Sequence, residues 1–266
     1  MHPAPLQDPA RTHRTLDTRS ARAALALAVP SVLLVLLVTL QWGPLVDLDG
    51  GISRTTHRWA VAEPELTQVN RILTDWVWDP WTMRALCAAT AVWLAWRHRA
   101  WWLALWVAAT CAIGTCIQQS LKAAVGRERP VWPDPVDSAH YAAFPSGHAM
   151  TATVVCGLLL WLVRLYGAGR ALWRAAVVLA VFSVIGVGLT RVWLGVHWPS
   201  DVLGGWLLGS LLVALAVTSY GRVMPDRRGM PYGDVMQQGD DVPGKTGRHT
   251  TWRDGRAQEV RGSGRP

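Results

Sequence analysis

Apolar residues gather into six runs along the chain, at 23–42, 81–96, 100–121, 149–165, 172–189 and 202–219, with polar stretches between them. About 20 mainly apolar residues in a helix cross the hydrocarbon core of a bilayer, because a helix satisfies its own backbone N–H and C=O groups. The runs predict an all-α polytopic membrane protein with a six-helix bundle. The run at 81–96 is the shortest. The first run exceeds the apolar stretch of a signal peptide and no small-x-small cleavage pattern follows it, so it reads as a retained span. Between the first two runs, segment 43–80 lacks a full span. Its Val61, Leu66, Val69, Ile72 and Leu73 fall on one helical face and predict a short amphipathic element at the membrane surface. Residues 1–22 read as a tail, 23–220 as the membrane domain, and 221–266, rich in Gly, Asp and Arg, as a disordered tail.

Composition agrees with a membrane setting. Charged residues make up 17% of the chain, against about 25% in soluble domains, and mean hydropathy is +0.18. Tryptophan outnumbers phenylalanine 17 to 2, and Trp42, Trp81, Trp101 and Trp102 sit at the ends of runs. Indole suits the membrane–water boundary, where its ring is apolar and its N–H stays wet. The net charge of +8 does not point to nucleic acid, because the arginines lie mostly in tails and short connections. Arg11, Arg14, Arg19 and Arg22 precede the first run, Arg97 and Arg99 follow the second, and Arg164, Arg170 and Arg174 lie at the connection from the fourth to the fifth. With six spans these segments and the basic C-terminus share one side, the cytoplasm by the positive-inside rule. The acid-rich segment 43–80 and the loops 122–145 and 191–200 fall outside. Lys122, Arg127, Arg129 and Arg191 break that rule. They are read as anion ligands or interfacial side chains; Arg127 and Glu128 are taken as solvated loop charges. The four cysteines lie inside apolar runs without a CxxC or zinc spacing, so no metal or cofactor is expected.

The topology brings four chain segments to one membrane face. They carry three cations, Lys122, Arg129 and Arg191, suited to phosphate oxygens. Ser146 and Gly147 open a helix, where free N–H groups and the helix dipole favour an anion. Ser146 is a candidate N-cap, and Gly147 permits close backbone approach to an oxyanion. Asp201 lies four residues after His197, and Pro199 is tolerated in the first turn of a helix, so the two side chains can face each other. A carboxylate on one imidazole nitrogen leaves the other free to attack. The set fits metal-free phosphoryl transfer, with His197 as nucleophile and His148 as the acid and then the base. His140 and Tyr141 are placed at the entrance.

These residues fall into three motifs: "KAAVGRERP" from Lys122 to Pro130, "PSGH" from Pro145 to His148, and "TRVWLGVHWPSD" from Thr190 to Asp201. In order and spacing they resemble the type-2 phosphatidic acid phosphatase superfamily of integral-membrane lipid phosphatases. Thr190 stands where that pattern usually has serine, and it keeps the hydroxyl. The resemblance implies a helical bundle, a phosphohistidine intermediate on His197, no required metal, and phosphate binding by Lys122, Arg129 and Arg191. The expected partners are a lipid phosphate and the bilayer. The expected reaction is hydrolysis of undecaprenyl diphosphate, with phosphatidate or phosphatidylglycerophosphate as the alternative. A vanadium haloperoxidase-like enzyme, which would be soluble, and a non-enzymatic lipid-binding protein are the remote readings.

Overall fold

The structure, a computed structural model, describes residues 9–223, with side chains from residue 22 onward. The expectation of disorder for 221–266 lies outside the described residues from 224 on, and at 221–223 it is corrected, because the last helix continues to Val223. Regular structure among the described residues is helical throughout: α1 (Pro9–Thr39), α2 (Gly43–Ala62), α3 (Pro64–Ile72), α4 (Pro80–Arg97), α5 (Trp101–Val125), α6 (Gly147–Leu165), α7 (Arg170–Trp193) and α8 (Pro199–Val223). A π-helical turn, Leu73–Val77, joins α3 to α4. Helix α1 begins at Pro9, so helical backbone runs back from the first apolar run into the segment read as a tail.

Local chemistry sets the helix ends. Asp79 caps α4 by accepting from the Trp81 and Thr82 N–H groups at 2.7 and 3.2 Å, with Pro80 in the first turn. Gly126 ends α5 in the left-handed region, at φ 59°, and returns its N–H to the Lys122 carbonyl at 3.0 Å.

Among the described residues five helices are long and apolar enough to cross a membrane: Arg22–Thr39 of α1, then α5, α6, α7 and α8. The predicted second run forms α4, but Arg84, Arg97 and three tryptophans dilute its apolar character below that of the other five. At 18 residues it is about 27 Å long, and it packs on α5 and α6.

Helix α6 is the centre, packed against α8, α7, α4 and α5, while α1 lies along α8. Buried Leu94, Val107, Val155, Leu158 and Val187 bring α4 to α7 together in one core cluster. Where α8 crosses α6 the backbones almost touch. A Cβ on Gly205 would lie 2.8 Å from the Ser146 carbonyl oxygen and 2.9 Å from the Met150 nitrogen. Small residues allow such close crossings in bundles, where van der Waals packing holds the helices together.

Segment 43–80 forms two helices and a turn rather than one short helix. The expected apolar stripe faces outward: Val61, Leu66, Val69 and Ile72 are about half exposed, while Leu73 packs on the core. The inner face of α2 is polar, with Asp49, Ser53 and His57 buried. This inversion has a physical reason. Helix α2 packs on α7 and α8 beside the polar start of α8, so its polar side finds partners inside.

Candidate active site

All eight residues singled out from the motifs come to one end of the bundle. Lys122 lies in the last turn of α5, and Arg129 in the loop after it. Ser146, Gly147 and His148 start α6, Arg191 lies in the last turn of α7, and Asp201 lies in the first turn of α8. His148 is within electrostatic reach of Arg191, His197, Arg129 and Lys122. The Ser146 N–H donates to the Asp201 carbonyl at 2.9 Å, which ties the start of α6 to the start of α8.

A tight turn after α7 aims His197. Gly195 takes φ 68° there, and its carbonyl accepts from Trp132 Nε1 at 2.8 Å. His197 Nδ1 lies 3.3 Å from Asp201 Oδ2, which also accepts from the Trp198 N–H at 2.9 Å. A carboxylate accepts only, so the Nδ1 proton points at Asp201 and the lone pair is assigned to Nε2. Arg129 Nη1 lies 3.1 Å from that Nε2. His197 is 1% exposed. Burial, then Arg129, Arg191 and Lys122, holds its pKa well below the usual histidine value. The lowered pKa favours the neutral ring, the form in which an imidazole nitrogen can act as a nucleophile.

The cations around it are held mainly by neutral groups. The Lys122 ammonium donates to the Ala142 carbonyl, and Arg129 donates to the Tyr141 and Val196 carbonyls. Arg191 meets a carboxylate, Asp137, at 3.7 Å. Two buried groups, Arg191 Nε and Ser146 Oγ, have no hydrogen-bond partner among the described residues. Unpaired buried donors are rare because each costs about 1–3 kcal/mol. The charge and the donors together make a socket for an anion with several oxygens. Ser146 holds the N-cap position of α6, but its hydroxyl makes no capping bond, contrary to the sequence expectation. Gly147 makes room for a protein group as well: a Cβ there would lie 2.8 Å from Nε2 of buried Gln118. Thr190 is buried, its Oγ1 2.8 Å from the Val187 carbonyl oxygen and 3.1 Å from Thr74 Oγ1.

One expectation is corrected. Arg127 is not a solvated loop charge. Its Nη1 donates to Asp201 Oδ1 and Ser200 Oγ, and its Nη2 to Asp49 Oδ2, each at 2.7 Å. Asp49 comes from α2, and nothing in its acid-rich segment distinguished it in the sequence. Asp137, in the loop before α6, was also missed, because it falls outside the three motifs. Glu128 is exposed as expected, and only its carbonyl is engaged, by Trp198 Nε1 at 2.9 Å. His140 and Tyr141 are both exposed.

Fold and site together define a multi-pass helical membrane protein with a cationic, two-histidine site at one end of the bundle. The PAP2 superfamily profile matches residues 100–225, a stretch that contains all eight motif residues. A decaprenylphosphoryl-5-phosphoribose phosphatase of Mycobacterium tuberculosis is 36% identical over 138 residues, 51% of this chain and 68% of that protein. An undecaprenyl-diphosphatase of Sulfolobus acidocaldarius is 35% identical over 32% of this chain and 35% of that protein. Phosphatidylglycerophosphatase B of Bacillus subtilis is 35% identical over 37% of this chain and 49% of that protein. The chain therefore spans from about a third to two thirds of the length of these relatives. The crystal structure of a transmembrane PAP2-type phosphatidylglycerolphosphate phosphatase from Bacillus subtilis superposes with a TM-score of 0.67. It is 23% identical to this chain, and the match covers 76% of this chain and 97% of that one. The chain belongs to the PAP2 superfamily.

Proposed function

We propose that this protein removes a phosphate group from a membrane lipid, through a phosphohistidine on His197 and without a metal. The observation that carries this reading is the cluster of Lys122, Arg129 and Arg191 around a buried neutral imidazole whose Nδ1 faces Asp201. In the first step His197 Nε2 attacks phosphorus and the bond to the leaving oxygen breaks. His148 gives that oxygen a proton. In the second step His148 takes a proton from water as the water oxygen attacks phosphorus. Inorganic phosphate leaves and both histidines return to their starting states. The three cations and the Ser146 hydroxyl stabilise charge on the transferring group, which is where most of the catalysis of phosphoryl transfer resides.

Undecaprenyl diphosphate is our first choice of substrate. Two of the three relatives above are named for polyprenyl substrates. A site at the end of the bundle can work on a headgroup while the chain stays in the bilayer. Phosphatidylglycerophosphate is the second reading, favoured by the Bacillus subtilis relative. We place the site on the outer face of the cell membrane with both termini in the cytoplasm.

The test is phosphate release by detergent-purified protein from undecaprenyl diphosphate, phosphatidylglycerophosphate and phosphatidate, with chelator present. We expect turnover in chelator, fastest on undecaprenyl diphosphate. His197→Ala should lower kcat roughly a thousand-fold or more, as loss of a nucleophile does. Loss of turnover in chelator would sink the metal-free mechanism, and an active His197→Ala the nucleophile assignment.

A further inference from the structure

We propose that Arg127 and Asp49 are positioning residues that hold Asp201 in line with His197, making the peripheral helix α2 part of the active-site architecture. This inference rests on the phosphatase reading above. The two oxygens of Asp201 divide their work. Oδ2 faces His197 Nδ1 and accepts from the Trp198 N–H; Oδ1 takes Arg127 Nη1 at 2.7 Å. A carboxylate pinned at both oxygens cannot rotate away from the imidazole. Arg127 is pinned in turn. Its other arm meets Asp49 at 2.7 Å, and Asp49 Oδ1 accepts from the Ser200 N–H at 2.9 Å, at the start of α8. The Ser200 hydroxyl closes the ring against Asp49 Oδ2.

The surroundings make this arrangement consequential. Asp49 is 2% exposed and Asp201 0% exposed, so two carboxylates are buried around one guanidinium. Removing the guanidinium leaves both without their countercharge, and breaking such a buried pair is strongly destabilising. A planar fork suits the geometry and an ammonium does not, because three oxygens are contacted at once. Arg127 contacts Asp201 through Oδ1, the oxygen that does not face the imidazole. Lys122, Arg129 and Arg191, by contrast, are the cations acting on His197 itself. Substrate binding and nucleophile alignment are thereby assigned to different cations.

The outer side of the ring is open. A cavity of about 360 Å³ reaches it, lined by Leu37, Gln41, Leu45, Asp49, Arg127 and Trp198 among others. A small cation from solvent can therefore reach the place of a truncated Arg127 side chain.

The experiment is a kinetic cycle on full-length protein in detergent, with Arg127→Ala, Asp201→Asn and the double variant, on whichever lipid the wild type turns over fastest. Arg127→Ala should lower kcat tenfold or more and leave KM within about threefold. The double variant should be no slower than Asp201→Asn alone, within about threefold, because the two residues act as one unit. Millimolar guanidinium should restore part of the kcat of Arg127→Ala and none of that of Asp201→Asn. If Arg127→Ala does not yield a monodisperse protein, Arg127→Lys and Asp49→Asn replace it; each should lower kcat several-fold at unchanged KM. Losses that multiply in the double variant, a KM rise without a kcat fall, or wild-type kcat in the conservative variants would overturn the inference. A wild type inert on every lipid sinks the phosphatase reading and this one with it. An active wild type with multiplying losses sinks this one alone.

Discussion

The two nitrogens of His197 have different neighbours, and under the proposed mechanism that difference sets when the ring can react. Nδ1 faces a carboxylate and Nε2 faces the Arg129 guanidinium. Burial comes first in lowering its pKa, followed by Arg129, Arg191 and Lys122. In the proposed mechanism protonation of Nε2 would abolish attack, so a lowered pKa would keep the free protein competent below pH 6.5. We expect the acid limb of kcat/KM, which reports the free enzyme, to lie below pH 6.5. Arg129→Gln removes one cation, so the imidazole should hold its proton more tightly and the limb should move to higher pH. Profiles of wild type and variant on one substrate check this, since the substrate's own titration is common to both. A limb that stays in place or moves down contradicts this account. The residues around His197 were legible in the sequence because histidines, cations and helix-starting Ser-Gly stand at the ends of apolar runs. Arg127 was not. A charge in a Gly-, Arg- and Glu-rich loop reads as solvated, and its partner Asp49 belongs to a distant segment with five other acidic residues. Only the fold places them 2.7 Å apart.

At the scale of elements, the α6–α8 crossing positions the site. It brings Ser146, at the N-cap of α6, against Asp201 of α8 through the bond from the Ser146 N–H to the Asp201 carbonyl, with His148 two residues further along α6. Gly205 makes that approach possible. Its missing Cβ would meet backbone atoms of Ser146 and Met150 at 2.8 and 2.9 Å, and backbone atoms cannot rotate aside. Gly205→Ala should push the helices apart, cost about 1–3 kcal/mol as overpacking does, and lower both Tm and kcat. Gly51→Ala is the control: Gly51 is on the exposed face of α2 with nothing within 4 Å of a Cβ. Its Tm should be unchanged or slightly raised by better helix propensity. Equal behaviour of the two variants, by thermal unfolding in detergent, would contradict this role for the crossing. The helices were legible as apolar runs, but their polar ends were not. Helix α5 continues to Val125 and α7 to Trp193, past the last residues of their runs, and Lys122 and Arg191 lie in those extensions. Hydropathy ends a run at its last apolar residue, whereas backbone hydrogen bonding continues until a cap such as Gly126. The segment 43–80 was the least legible, because α2 turns its polar face inward and its pattern has the opposite meaning from that of a soluble amphipathic helix.

For the whole molecule, the contacts between α2 and the site reduce the orientation to a single question. Asp49 of α2 bonds to Arg127, Thr67 of α3 accepts from Trp193 Nε1 at 2.9 Å, and Thr74 lies 3.1 Å from Thr190. Segment 43–80 and the active site therefore occupy the same end of the bundle, whichever way the chain inserts. The connections 98–100 and 166–169 lie at the other ends of the spans, beside Arg97, Arg99, Arg164 and Arg170. Arginine in short connections biases them toward the cytoplasm, so the site end should face out. Of the basic residues at the site end, Lys122, Arg127, Arg129 and Arg191 are buried or half-buried in the protein rather than free in a loop, and exposed Arg54 and Arg58 sit in a segment with six acidic residues. The check is cysteine labelling in intact cells with a membrane-impermeant maleimide, in a chain whose four native cysteines are replaced. Asp134→Cys, in the exposed loop before α6, should react without permeabilisation. Gly169→Cys, exposed and with nothing within 4 Å of its Cβ position, should react only after it. The reverse pattern would turn the protein over and put the site in the cytoplasm, where a lipid presented at the outer leaflet could not reach it.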